Sequence, residues 1–152
     1  MTTRILTATL MLLASAAAFS GPDDAEHWYK NKYAALWAKN SWGKIESIAE
    51  YYDVTISLHS AEGNVVVVDS KPWLKKSIAG WRAEGWLGSD VPVLRVDEIN
   101  DATVVFKSKW RDWYEDGSEE FSCAWYMADR KDGRWVFTAY AELDCDEHNL
   151  TE

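Results

Sequence analysis

A chain of 152 residues that is 47% hydrophobic and 14% aromatic, with ten tryptophans, is too apolar to stay disordered and long enough to bury one domain-sized core. Its formal net charge of −9 opposes phosphate backbones and anionic membrane surfaces, so neither nucleic acid nor a membrane surface is an expected partner.

The first twenty residues have the layout of a cleavable signal peptide. Arg4 supplies the positive start, residues 5–14 an apolar run, and residues 15–20 small side chains suited to cleavage after Ala18 or Ser20. The run is well short of the roughly 20 residues that a membrane-spanning helix needs. Segment 1–20 is therefore expected to be a signal and 21–152 a single exported domain, periplasmic or secreted. Loss of Arg4 leaves 15 basic against 25 acidic side chains, a mature charge near −10.

Apolar spacing predicts a first helix over 25–39, capped by Asp24, with Tyr29, Tyr33, Leu36 and Trp37 on one stripe. Residues 40–43 break it, and a short second helix follows with Ile45, Ile48, Ala49 and Tyr52 on one face. Segments 54–59 and 64–68 read as strands around a turn at 60–63. Asp69 or Ser70 caps a third helix that holds Pro72 in its first turn and stops at Gly85.

From Val91 the pattern becomes strands: 91–99, weakened by Pro92, then 102–115, 118–130 and 134–144. Asp116-Gly117 and Asp132-Gly133 are the dipeptides of two-residue hairpin turns. If both loops hold two residues, Glu115 faces Ser118 and Lys131 faces Arg134. Alternation then gathers Phe106, Ser108, Trp110, Asp112, Phe121, Cys123, Trp125, Met127, Val136, Thr138, Tyr140 and Glu142 on an inner face. The opposite face, mixing Lys107, Lys109 and Arg111 with alanines and aromatics, is left to solvent or a second subunit. The same register sets Cys123 against Glu142 and puts Cys145 on the other face, roughly 10 Å away. That favours free thiols over a Cys123–Cys145 disulfide, which would need a β-bulge or a hooked C-terminus.

Three helices, a hairpin before the third, and a run of long antiparallel strands resemble the nuclear transport factor 2-like superfamily. The carriers are the Tyr51-Tyr52-Asp53 end of helix two, the tryptophan-bearing third helix, and the stretch DGRWVFTAY at 132–140. The resemblance covers about residues 25–145 and implies an α+β cone, three N-terminal helices packed on a curved, mainly antiparallel sheet. Polyketide-cyclase-like (SnoaL-like) proteins, ketosteroid isomerases and many exported domains share this fold, so it leaves activity open. At the position where the isomerase branch carries its general base, this chain has Leu58, and no catalytic residue transfers from that branch.

A cone of this kind would line its pocket with Tyr33, Trp37, Ser108, Trp110, Trp125, Thr138 and Tyr140, a set suited to a flat, partly apolar ligand. The same side chains would equally fill the core of a small tryptophan-rich domain. Asp112 and Glu142 fall on the predicted inner face, roughly 10 Å apart across one intervening strand, and either would serve as an acid or base if buried. His59 could shuttle protons near neutral pH, although alternation sets it opposite Ile56 and Leu58, on the rim or surface. No metal-ligand cluster, phosphate loop or nucleophile elbow is present, so neither metal nor cofactor is expected. Three readings remain. They are an exported domain binding a small apolar or aromatic molecule or a protein partner, a cofactor-free isomerase, cyclase or hydrolase, and a homodimer formed through the outer sheet face.

Overall fold

The computed structural model describes residues 22–38 and 45–150; the expected signal segment and the break at 40–43 lie outside them. Helix α1 (Pro22–Trp28) starts three residues before the predicted start at residue 25, with proline at its first position, where no amide donor is needed. It continues as a π turn over Tyr29–Tyr33 and a 3-10 turn over Ala34–Leu36. A 3.6-residue helix drifts about 40° with each i, i+4 step, and the wider π turn offsets that drift. Tyr29, Tyr33 and Trp37 consequently all point inward, with 0%, 1% and 6% exposure. Helix α2 (Ile45–Ala49) is short, and Tyr52, expected on its face, already opens the first strand.

The strands are β1 (Tyr52–His59), β2 (Val65–Asp69), β3 (Trp86–Asn100), β4 (Thr103–Tyr114), β5 (Glu119–Lys131) and β6 (Arg134–Leu143), with helix α3 (Ser70–Ala83) between β2 and β3. They form one sheet in the order β2-β1-β6-β5-β4-β3. All neighbours are antiparallel except β1 and β6, which run parallel. This is the expected α+β cone with helices on a curved, mainly antiparallel sheet.

Two one-residue irregularities correct the predicted faces. Asp132-Gly133 forms the expected two-residue turn, both residues at positive φ (50° and 75°), and Lys131 faces Arg134. At the other hairpin the amide of Tyr114 bonds the carbonyl of Ser118 (3.1 Å), so the loop holds three residues and ends in Gly117 at φ 86°. Asp116 Oδ1 stabilises that longer turn by accepting from the Ser118 amide (2.9 Å) and hydroxyl (2.6 Å). The extra residue flips β5, so Trp110 pairs with Ser122 and Phe106 with Tyr126. Phe121, Cys123, Trp125 and Met127 therefore lie on the outer face, and Ser122, Ala124, Tyr126 and Ala128 on the inner one.

Strand β6 follows β5 at first, so Trp135 and Phe137 face inward and Val136 outward. A bulge at Thr138 then returns Tyr140 and Glu142 to the inner face, where they had been expected.

The core lies between the helices and the inner face. Phe137, fully buried, meets Tyr33 at 4.6 Å, Tyr126 at 5.0 Å and Trp28 at 5.2 Å between ring centroids. Tyr29 donates to or accepts from Ser108 Oγ at 2.9 Å, and Tyr33 bonds the Tyr52 hydroxyl, so the phenols inside this core are satisfied.

The bulge and a hooked C-terminus together also overturn the expectation of free thiols. Cys123 pairs with Leu143, which leaves Cys145 two residues on and on the same face, and the disulfide forms with Cα atoms 5.3 Å apart. Beyond it the chain turns back: the Leu150 amide bonds the Cys145 carbonyl (3.0 Å), and Arg95 of β3 donates to the Asn149 carbonyl (2.6 Å). Leu150 is fully buried and, like Val105, Cys123, Val136 and Ala139, is buried outside the main core cluster. Part of the outer sheet face is thus covered by the chain's own tail.

Candidate functional site

Beyond the core the inner face opens into a cleft of about 560 Å³. Four indoles build one wall. Trp37, at the end of the first helical segment, meets Trp81 of α3 (6.0 Å), Trp86 of β3 (6.1 Å) and Trp110 of β4 (6.3 Å), all nearly edge to face. The helix end is docked here by the backbone, since Ser89 N–H donates to the Trp37 carbonyl at 2.7 Å. Ser89 reaches that point because β3 is irregular between Trp86 and Gly88 and again between Asp90 and Val93, where Pro92 sits without an amide to donate. The floor and opposite wall come from Ala124, Tyr126 and Tyr140, and the rim carries the Cys123–Cys145 disulfide.

Asp112 is the anchored polar group of the cleft. Its Oδ1 accepts from Ser89 Oγ and from Trp86 Nε1 (3.2 Å), and its Oδ2 from Ser122 Oγ (3.3 Å). The Trp86 indole is shared, since it also donates to Ser89 Oγ at 3.0 Å. Burial raises the Asp112 pKa above the ordinary carboxylate value, and these three donors offset only part of the rise, while the Glu120 charge adds to it. Negative charge also reaches the phenols. Tyr114 is pushed up to about 12 by partial burial and then by Glu120 and Asp112. Tyr140 is raised further, by burial first and then by Glu142 and Asp112.

Two further donors are unmet. The Nε1 atoms of Trp37 and Trp110 are buried without a hydrogen-bond partner. The Trp110 indole approaches the Tyr29 hydroxyl and favours its ionised form slightly, but does not reach hydrogen-bonding geometry. An unmet buried donor costs on the order of 1–3 kcal/mol, which an incoming acceptor would recover.

The structure separates the sequence-derived candidates into three groups. Trp37, Trp110, Tyr140, Asp112 and Glu142 line the cleft together. Tyr33 and Ser108 are sealed in the core, at 1% and 0% exposure. Trp125, Thr138 and His59 stand away from the cleft. Trp125 lies on the outer face against the exposed His59 ring (5.8 Å), and Thr138 occupies the β6 bulge. Sequence reasoning missed Trp81, Trp86, Ser89, Tyr114 and Ser122. Trp86 and Ser89 precede the predicted start of their strand, Trp81 was read only as part of a helix edge and Tyr114 only as part of a strand, and Ser122 was on the wrong face. Among the described residues no group of three His, Cys, Asp or Glu side chains converges as a metal site.

A curved sheet wrapped by N-terminal helices, with an aromatic cleft between them, defines a cone-shaped α+β pocket protein. The chain belongs to the family described as NTF2-like protein (DUF6841), whose model matches residues 23–145.

No curated protein matches the sequence. Among solved structures, an uncharacterised protein with a cystatin-like fold from Caulobacter vibrioides is similar at TM-score 0.60 and 13% identity, over 86% of this chain and 96% of that one. A candidate polyketide cyclase from Xanthomonas campestris pv. campestris is similar at TM-score 0.55 and 11% identity, over 85% and 96%. The association domain of CaMKII from C. elegans is similar at TM-score 0.53 and 14% identity, over 80% and 94%. At such identities the likeness is one of fold.

Proposed function

We propose that this protein is an exported domain that binds a small, partly aromatic molecule in the cleft, without an assigned reaction. The observation that carries this reading is a cleft of about 560 Å³, walled by indoles and anchored by the half-buried, hydrogen-bonded carboxylate of Asp112. A volume of that order suits a small organic ligand held by apolar surface and oriented by a few polar groups. The unmet indole donor of Trp37, which lines the cleft, supplies one more such group.

The acid–base alternative rests on Asp112 with its raised pKa. Its hydrogen-bond partners are Ser89, Trp86 and Ser122, which hold a carboxylate in place but do not relay a proton near neutral pH. Binding is therefore the better-supported reading. A homodimer through the outer face is the second. The resemblance to an association domain and the half-exposed Phe121 favour it, while the C-terminal tail reduces the area available.

Indole N–H resonances test the binding reading directly. In a screen of small aromatic compounds, the signals of Trp37 and Trp110 should shift on binding. Shifts confined to Trp113 and Trp125, outside the cleft, would rule it out. For export, protein recovered from a secreting host should begin at Phe19 or Gly21, and an intact Met1 would refute cleavage. Sedimentation of the recovered protein separates monomer from dimer.

A further inference from the structure

The cleft wall carries five carboxylates, Glu84, Asp112, Glu120, Glu142 and Asp144, and no Lys, Arg or His. Between them stand Trp37, Trp81, Trp86, Trp110, Tyr114 and Tyr140. We infer that the ligand of this cleft is an organic cation, an alkylammonium or quaternary ammonium that also bears a neutral hydrogen-bond acceptor. This inference rests on the ligand-binding reading above and narrows it to a chemical class.

Three observations support the choice. The first is the sign of the field. A concave site lined by one sign of charge concentrates the potential inside it, and here the potential is negative. It is felt within the wall: Tyr114 and Tyr140 hold their protons more tightly first because of burial and then because of the charges of Glu120 and Asp112 on the one and of Glu142 and Asp112 on the other. Lys109 Nζ lies 4.7 Å from the ring centroid of Phe121 at the wall, but Lys109 itself does not line the cleft. An anionic ligand would be repelled, and a neutral one would gain hydrogen bonds at most, without the charge attraction that five carboxylates offer a cation.

The second observation is the shape of the coordination on offer. A calcium ion needs several oxygens converging at about 2.3–2.6 Å, and a magnesium ion needs them closer still. Among the described residues no acidic group of three converges in that way. The carboxylates are instead dispersed around aromatic rings, and Asp112 is held in place by its own donors. A cation that is large, weakly hydrated and coated in methyl or methylene groups meets this arrangement without stripping water from a small ion. Its carbon surface packs on the rings, its charge is attracted to the ring faces, and the carboxylates supply the longer-range attraction.

The third observation is the pair of unmet donors. Trp37 and Trp110 are more than nine-tenths buried, line the cleft, and have Nε1–H groups with no partner; that of Trp110 is turned toward the sealed Tyr29 hydroxyl. The Trp37 donor is therefore the one that calls for an oxygen on the ligand. In this field that oxygen is neutral, as in a hydroxyl, ether or carbonyl.

A shape-matched trio of probes tests the inference on the full chain by calorimetry. They are para-hydroxyphenyl-trimethylammonium, its uncharged carbon isostere para-tert-butylphenol, and the anion para-tert-butylbenzoate. The ammonium should bind at least tenfold more tightly than the phenol, and the benzoate should not bind measurably. Asp112→Asn and, independently, the exposed Glu142→Gln should each weaken the ammonium several-fold more than they weaken the phenol. Equal binding of ammonium and phenol would leave the ligand-binding reading standing and overturn the cation assignment. Tightest binding of the benzoate would overturn it too. If none of the three binds, and none shifts the Trp37 or Trp110 indole signals, the binding reading fails along with it.

Discussion

The tail hook gives the most quantitative test of the fold. The Cys123–Cys145 disulfide closes a loop of sequence separation 22. In the chain-entropy treatment a closed loop of that size is worth roughly 3 kcal/mol, through restriction of the unfolded chain. The described residues, 22–38 and 45–150, number 123. At about 2.1 cal/mol/K per residue, their unfolding entropy near Tm is about 0.26 kcal/mol/K. Removing the bond should then lower Tm by about 12 °C. Cys123→Ala with Cys145→Ala leaves no new buried hydroxyl and is the appropriate variant. Circular dichroism melts of oxidised protein, protein in reductant and the double variant should place the first well above the other two. Alkylation before reduction should label neither cysteine. The loss should exceed the entropic figure if the tail detaches, because Leu150 and the Arg95 to Asn149 bond leave the sheet with it. A difference below about 4 °C would refute the reasoning, since it would mean that the tail docks by its own contacts or that the thiols are free.

Three further outcomes follow from packing and charge. Phe137→Ala removes a fully buried ring at the centre of the aromatic core and should cost about 3–5 kcal/mol, read from the denaturant midpoint. Gly85 ends α3 at φ 87° and accepts from the Glu115 amide through its carbonyl (2.9 Å), so Gly85→Ala should cost about 1 kcal/mol in the same assay. Asp112 binds its proton more tightly folded than unfolded, so its contribution to stability is greatest at low pH and declines as pH rises from about 3.8 through the raised folded value. Asp112→Asn keeps the acceptor for Ser89 and Trp86 and can donate to Ser122. It should therefore lose less Tm than the unmodified protein between pH 4 and pH 7; a larger loss would refute a raised pKa.

Elements were legible in the sequence where local chemistry decides them, and faces were not where one residue decides them. The helices, the six strands and both hairpins follow from apolar spacing and from Gly, Asp and Pro placement. The direction of each β5 side chain depended instead on whether the Asp116 loop held two residues or three. An Asp-Gly dipeptide serves both, but Ser118 was a usable signal, because Asp116 Oδ1 accepts from both its amide and its hydroxyl. Thr138 offers no comparable warning, since a β-branched residue is at home in any strand. The two shifts oppose each other, and this is why Tyr140 and Glu142 reach the cleft although the register that placed them there was wrong.

The same parity governs the site. Had the loop held two residues, Cys123 and Trp125 would face the helices and Ser122 would face away, leaving Asp112 Oδ2 without its hydroxyl donor. The cleft would then have gained apolar volume and lost an anchor for its carboxylate. Likewise the β3 irregularity around Pro92 looked, in sequence, like a late strand start. In the structure it carries Ser89 to a point where its amide holds Trp37 and its hydroxyl holds Asp112. One residue thereby fixes both the aromatic wall and the charge that faces it. Ser89→Ala would remove only the hydroxyl link, leaving the Trp86 indole and Ser122 to hold the carboxylate, so the cleft should keep its shape and lose definition at Asp112. Cation affinity should then fall while the affinity of the uncharged isostere holds, which separates the role of the anchored charge from that of the wall.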